Sequence, residues 1–273
     1  MSNSVNTNLG AVTALASLRA TQAHIAVSSK LVQTGYRVAD AMDNASTFSV
    51  AQGIRGNLQA FRAVQASLAN GLGLADVTRT ALELMTDVVN QIRTKAIQLA
   101  DGSVTGTART TYFNDFGQVA DQIQRYIGQA NFNGVNLLSS GSATRTFIAD
   151  TELGQLQLSS QSAVWTAWTT FQANVNVGDS ALATGSLSVI DTLGAAVTSA
   201  LATIASQSRQ LRLQSSYVGD LVDANSQGLG ALVDADIGKA AAATQAQSVR
   251  QQLAVNAFSM ANTEPRMILG LLN

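Results

Sequence analysis

Ile54, Phe61, Leu68, Ala75, Leu82, Val89 and Ala96 recur at an unbroken interval of seven. Leu58, Val64, Leu72, Met85, Ile92 and Leu99 fill much of a second row. An α-helix keeps such a seam against a partner only by supercoiling left-handedly around it. The repeat therefore predicts one helix from about residue 44 to 100, on the order of 80 Å long at ~1.5 Å per residue. That exceeds the thickness of a compact domain, so the expected molecule is mainly α and rod-like. Gly71 and Gly73 interrupt the pattern. Each costs roughly 1 kcal/mol in a helix relative to alanine, which marks them as points of close packing.

Both ends carry further helical patterns. Val5, Leu9, Val12, Leu15, Leu18, Ile25 and Leu31 fall on one face of a helix that Thr34-Gly35 closes, because glycine accepts the left-handed C-cap geometry. Asp43 or Asn44 then stands where a short acceptor would cap the long helix. At the other end, Asp234 and Asp236 are placed to cap a last helix through Ile237, Ala241, Val249, Leu253, Met260, Met267 and Leu271. Pro265, the lone proline, predicts a kink or fresh turn there. Apolar ends of this kind need covering, and the expectation is an antiparallel terminal coiled coil of residues 1–42 and 231–273.

Between the ends, residues 43–230 read as a helical bundle whose core includes Ile54, Phe61, Leu68, Leu82 and Val89. A shorter helix follows Asp101-Gly102-Ser103, with Phe113, Phe116, Val119, Ile123, Tyr126 and Ile127, and stops at the tight-turn signal Asn133-Gly134. From about 135 to 185 the period changes. Thr146 to Ala149 and Gln155 to Leu158 flank Asp150-Thr151-Glu152-Leu153-Gly154, which predicts a β-hairpin. Trp165, Trp168 and Phe171 form a cluster able to hold it. Helical spacing resumes near Leu187 and continues to Leu221, with Gly228-Leu229-Gly230 expected to break it.

Charge excludes several functions. Only 12% of residues are Asp, Glu, Lys or Arg, with 16 basic against 17 acidic. A nucleic-acid partner would need a basic excess, and an anionic membrane surface a polybasic patch. No apolar run approaches the ~18 to 20 residues of a spanning helix, so no membrane insertion is expected. A weakly charged surface rich in Ala, Ser, Thr, Gln and Asn suits self-association. There is no cysteine. The N-terminus lacks the basic region of a secretory signal, its first cation being Arg19.

Chemistry is scarce. His24 is the only histidine and has no cysteine or nearby carboxylate for a metal site. No serine sits in a nucleophile elbow. Asp40 with Asp43, and Asp234 with Asp236, precede helices and read as caps rather than acid/base pairs. Gly71-Leu72-Gly73 lacks the preceding strand and third glycine of a phosphate loop. No catalytic residue, metal or cofactor is expected.

Several motifs, in order, resemble bacterial flagellins. They are Ser4-Val5-Asn6-Thr7-Asn8 with Ala11, Ala14 and Leu18; Gln33-Thr34-Gly35-Tyr36-Arg37-Val38 with Ala41-Met42-Asp43-Asn44-Ala45; Gln129 to Leu138; Val233-Asp234-Ala235-Asp236; Gln251-Gln252-Leu253; Ala261-Asn262; and Ile268-Leu269-Gly270-Leu271-Leu272. The resemblance covers roughly residues 1–140 and 187–273 and is strongest to the short flagellins of alphaproteobacteria. It implies a filament subunit for swimming motility, with terminal helices lining the inner core and no large outer domains. It implies export, unfolded and uncleaved, through the flagellar secretion channel, and an extracellular filament. Implied partners are further copies of the chain, the export machinery, an export chaperone, the filament cap and the hook-junction proteins. A patch by which some flagellins engage a toll-like receptor falls on Gln91, Lys95 and Asp115, where recognised members carry arginine, leucine and glutamate. That departure implies weak receptor activation. A hook–filament junction protein would share the terminal helices, and a cytosolic coiled-coil scaffold would share the heptads but not the motifs.

Overall fold

The computed structural model describes residues 7–271, with side chains described through residue 263. The fold is mainly α, in the order α1 (Leu9–Thr34), α2 (Ala45–Ala100), α3 (Gly106–Gln129), β1 (Arg145–Ile148), β2 (Gln155–Leu158), α4 (Ser162–Asn174), α5 (Ser180–Val233) and α6 (Ile237–Leu271). Contacts divide it into two compact units, Met1–Gly56 with Ala224–Asn273, and Asn57–Asp223. The boundaries between these units fall inside α2 and α5.

In the Asn57–Asp223 unit, α2 contributes Val64, Leu68, Ala75, Leu82, Met85, Val89, Ile92, Ala96 and Leu99 to the core. Phe61 and Leu72 are only half-buried against it. From α5 come Ile190, Leu193, Val197, Ile204, Leu211 and Val218, at steps of three, four and seven. Helix α3 buries Phe116, Val119, Ile123 and Ile127. Between Asp191 and Arg209 helix α5 has no charge, and over an 18-residue window its mean hydropathy reaches 1.6. By length and composition it thus meets the condition for crossing a membrane, contrary to the sequence expectation. Ile190, Leu193, Val197, Ile204, Leu211 and Val218 face the protein core, whereas Leu182, Leu213 and Tyr217 are exposed.

The hairpin pairs Arg145 with Leu158 through to Ile148 with Gln155, antiparallel. Asn133 and Gly134 both have positive φ, 49° and 79°, and Phe132 and Val135 exchange backbone hydrogen bonds of 2.9 Å around them. That is the turn Asn-Gly favours. It lays Phe132 over α2 so closely that a Cβ on Gly73 would sit 2.6 Å from the ring. A Cβ on Gly71 would lie 3.1 Å from the ring of Phe147. Both glycines are therefore sites of close approach. Arg109 ties the same unit together, its guanidinium donating to the carbonyls of Leu99 at 2.9 Å, Gly178 at 2.9 Å and Val177 at 3.1 Å.

Trp165, Trp168 and Phe171 lie on α4, where Trp168 and Phe171 stack at 5.1 Å. Their spacing of three is helical, though Thr166, Thr169 and Thr170 obscure it. Gly228 and Gly230 do not break α5, which continues to Val233, contrary to the sequence expectation. Pro265 lies within the bounds of α6.

Candidate functional site: the paired terminal helices

Helix α1 packs along α6 in the Met1–Gly56 and Ala224–Asn273 unit. The pair is antiparallel. Asn8 Nδ2 donates to the Ala261 carbonyl at 2.7 Å at one end, and Ala235 N–H donates to the Gly35 carbonyl at 2.9 Å at the other. Asn8 also caps α1, its Oδ1 accepting from Ala11 N–H at 2.9 Å. Gly35 closes α1 with φ 72°, the left-handed geometry that glycine adopts without a Cβ clash.

The covered positions form a heptad on each helix. On α1 they are Ala11, Leu18 and Ile25, and Ala14, Thr21 and Ser28. On α6 they are Ala240, Gln247, Ala254 and Ala261, and Thr244, Gln251 and Phe258. Most are small or polar, so the two backbones approach closely. Leu18, Ile25 and Phe258 are the large apolar residues among them, and many of the others point elsewhere. Leu9 is 73% exposed and Met260 71%, and Val12, Val27, Ile237, Val249, Leu253 and Val255 are also exposed.

The residues expected to cover one another therefore separate into two sets. Leu15, Leu18, Ile25 and Leu31 are half-buried. Leu9, Val12, Ile237, Val249, Leu253 and Met260 lie on outward faces. Val5 and the side chains of Met267 and Leu271 fall outside the described residues. Sequence reasoning weighted large side chains and so missed the Ala, Thr and Gln seam. The signal was present as the spacing of fourteen and then seven residues from Ala240 to Ala254 and Ala261.

Where the two helices meet the rest of their unit, Tyr36 pairs with Asp234 in an isolated antiparallel bridge. Arg37 donates its N–H to the Val233 carbonyl at 2.7 Å and its guanidinium to that of Leu232 at 2.8 Å. A cation there satisfies the open carbonyls of the α5 C-terminus and opposes its dipole. Val38, Ala51 and Val233 form a small buried cluster, with Phe48, Leu229 and Leu232 against it and Ile54 half-buried nearby. Lys30 donates to Asp40 at 2.8 Å and Asp43 at 2.6 Å. Those bonds hold both carboxyls below the usual carboxylate range and Lys30 above its own.

Asp43 is thus committed to Lys30 and to the amides of Ala39 and Asp40. Asn44 caps α2 instead, its Oδ1 accepting from Thr47 N–H at 2.9 Å. Asp236 caps α6 through Lys239 N–H at 2.9 Å, whereas Asp234 stands before the cap, in the bridge to Tyr36. His24 is exposed on α1. Among the described residues no three His, Asp or Glu side chains converge as a metal site would require.

In the other unit, Lys95 and Asp115 form an ion pair between α2 and α3, and the Lys95 ammonium lies 5.9 Å from the Tyr112 ring centroid. Gln91 is exposed one turn earlier on α2.

The bacterial flagellin N-terminal helical region matches residues 5–144. Along its length the chain is 31% identical to flagellin FljN of Caulobacter vibrioides, over 98% of both proteins. It is 29% identical to a flagellin of Brucella melitensis, again over 98% of each. Among solved structures, a putative flagellar hook-associated protein from Vibrio parahaemolyticus superposes with a TM-score of 0.61 at 15% identity, over 70% of this chain and 99% of that one. Bacillus cereus flagellin superposes at 0.50 with 21% identity, over 56% of this chain and 88% of that one. These two establish the fold alone. The chain belongs to the bacterial flagellin family and is a structural subunit of the flagellar filament.

Proposed function

We propose that copies of this chain polymerise through the outward faces of α1 and α6. The observation that carries this reading is the division of side chains on the pair. Mostly small and polar residues, with Leu18, Ile25 and Phe258 among them, are withdrawn from solvent on the pair, and Leu9, Val12, Ile237, Val249, Leu253 and Met260 stay uncovered. Apolar area of that kind is worth ~25 cal/mol per Å² once removed from water. A helical polymer needs different patches meeting head to tail, so that the contact does not close on itself.

Export through the flagellar channel, an extracellular filament, an export chaperone, filament cap and hook-junction proteins as partners, and a role without catalysis are part of the same proposal, and family membership supports them. The long, weakly charged terminal helices support export as an unfolded chain, since such helices are marginal until covered. Gln91, Lys95 and Asp115 are proposed as a weak receptor patch. Lys95 and Asp115 already neutralise each other, which leaves little charge for a partner. Potent signalling by the purified protein in a receptor reporter assay would overturn that assignment.

Electron microscopy tests the main reading. Purified protein brought to polymerising conditions should give long helical filaments that revert to monomers on heating or acidification. Protein with intact ends that remains monomeric would sink it.

A further inference from the structure

Leu153 at the tip of the β-hairpin is both strained and uncovered. Its φ is 67°, a left-handed conformation that a side chain bearing a Cβ rarely adopts. It is 70% exposed. Glycine, the residue suited to this geometry, stands one position later as Gly154. The loop is rigid, because Asp150 Oδ1 accepts from Glu152 N–H at 2.9 Å and from Gly154 N–H at 2.7 Å. A strained, solvent-facing leucine gains nothing by burial within its own subunit, and backbone outliers cluster at functional positions.

The same unit carries a receptacle. An open groove of about 380 Å³ lies between α2 and α3, lined by Val77, Ala81, Leu84, Tyr126 and Ala130. Its lining is mainly apolar, and Leu84 is exposed within it. A cation stands on the same face of α3 as the groove. Arg125 stands one turn before Gln129, another lining residue, and is exposed. Asp76, which also lines the groove, is already paired with Arg79 and Arg212. Beside Leu153, Glu152 is an exposed acid.

We infer that Leu153 of one subunit docks into the α2–α3 groove of a second copy, with Glu152 facing Arg125. The contact is heterologous, a knob on one patch and a hole on another, so it propagates rather than closes. It rests on the filament-subunit reading and adds a contact separate from the terminal helices.

The test compares the critical concentration for polymerisation with the melting temperature of the monomer. Leu153→Gly should leave the melting temperature unchanged or raise it, because the strain is relieved. The same variant should raise the critical concentration by about tenfold or more, the loss expected for one buried leucine. Glu152→Arg and Arg125→Glu should each weaken assembly, and the double exchange should restore it. Because the chain has no cysteine, Leu153→Cys with Leu84→Cys should give a ladder of covalent multimers when filaments are oxidised. Wild-type assembly with no ladder and an unchanged critical concentration for Leu153→Gly would give the groove to another occupant and overturn the inference. Failure of the wild type itself to polymerise would instead bring down the filament reading, and this contact with it.

Discussion

Asn8 reaches the carbonyl of Ala261 with its amide nitrogen, 2.7 Å away, while its amide oxygen caps the amide of Ala11. One side chain thus starts α1 and sets its register against α6. Replacing it by alanine removes a cap worth about 1 kcal/mol and a hydrogen bond of similar net worth. Asn8→Ala should destabilise the α1–α6 pair by about 1–2 kcal/mol. Asn8→Asp keeps the cap, loses the donor and should fall between. Amide exchange along α1 reads both, and equal protection in all three proteins would refute the registering role.

Glycines in α2 should respond to alanine in opposite directions. At Gly73 a Cβ would lie 2.6 Å from Phe132, while at Gly53 and Gly56 nothing stands within 4 Å. Gly73→Ala gains up to ~1 kcal/mol of helix propensity but overpacks a closely fitted site, typically a loss of about 1–3 kcal/mol. Net destabilisation is expected. Gly53→Ala should stabilise the monomer by about 0.5–1 kcal/mol. Denaturant midpoints of the two variants decide it.

Acid should loosen the junction around Lys30. Both Asp40 and Asp43 titrate below their ordinary range because Lys30 donates to them. The unfolded chain therefore takes up protons first. Their contribution is complete above the unfolded carboxylate value, ~3.9, and is lost as pH falls through the lower folded values. Lys30 is raised, so its share is complete below its unfolded value and is lost as pH rises through the folded one. The groups are exposed and their effect should shrink with salt. Protection of the amides of residues 30–44, corrected for the intrinsic exchange rate at each pH, should fall between pH 5 and 3 in the native protein and change less in Lys30→Met.

How much was legible depended on side-chain size. The heptad placed α2 at 44–100 against Ala45–Ala100 observed, because a repeat of large residues admits no other register. Alternation and a turn cluster placed the hairpin within a residue at its first strand. The helix around Trp168 was obscured by threonines, and α5 outlasted Gly228 and Gly230 because tertiary packing outweighs a loss of about 1 kcal/mol per glycine. The terminal seam was the least visible part. Ala240, Ala254 and Ala261 carry almost no hydrophobic contrast against a helix already rich in alanine, and the larger Leu253 beside them drew the eye to the wrong face. Nothing in the sequence marked Leu153 as left-handed, since glycine, the usual sign, stands next to it.

That adjacency of Leu253 and Ala254 supplies the sharpest separation of inner seam from outer surface. Leu253 is exposed on α6, and Ala254 is covered against α1. A charge at Leu253 meets water in the monomer, so Leu253→Asp should leave its melting temperature within about 0.5 kcal/mol equivalent of the parent, as surface changes usually do. In an apolar contact between copies the same carboxylate would be buried without a partner, which is strongly unfavourable. Assembly should therefore fail or need far more protein. Ala254→Leu should behave the other way. It overpacks the seam, costs about 1–3 kcal/mol, and should raise amide exchange in both α1 and α6 of the monomer. Sedimentation of polymer alongside exchange of monomer distinguishes the two. Normal polymerisation of Leu253→Asp would remove that face of α6 from the interface between subunits.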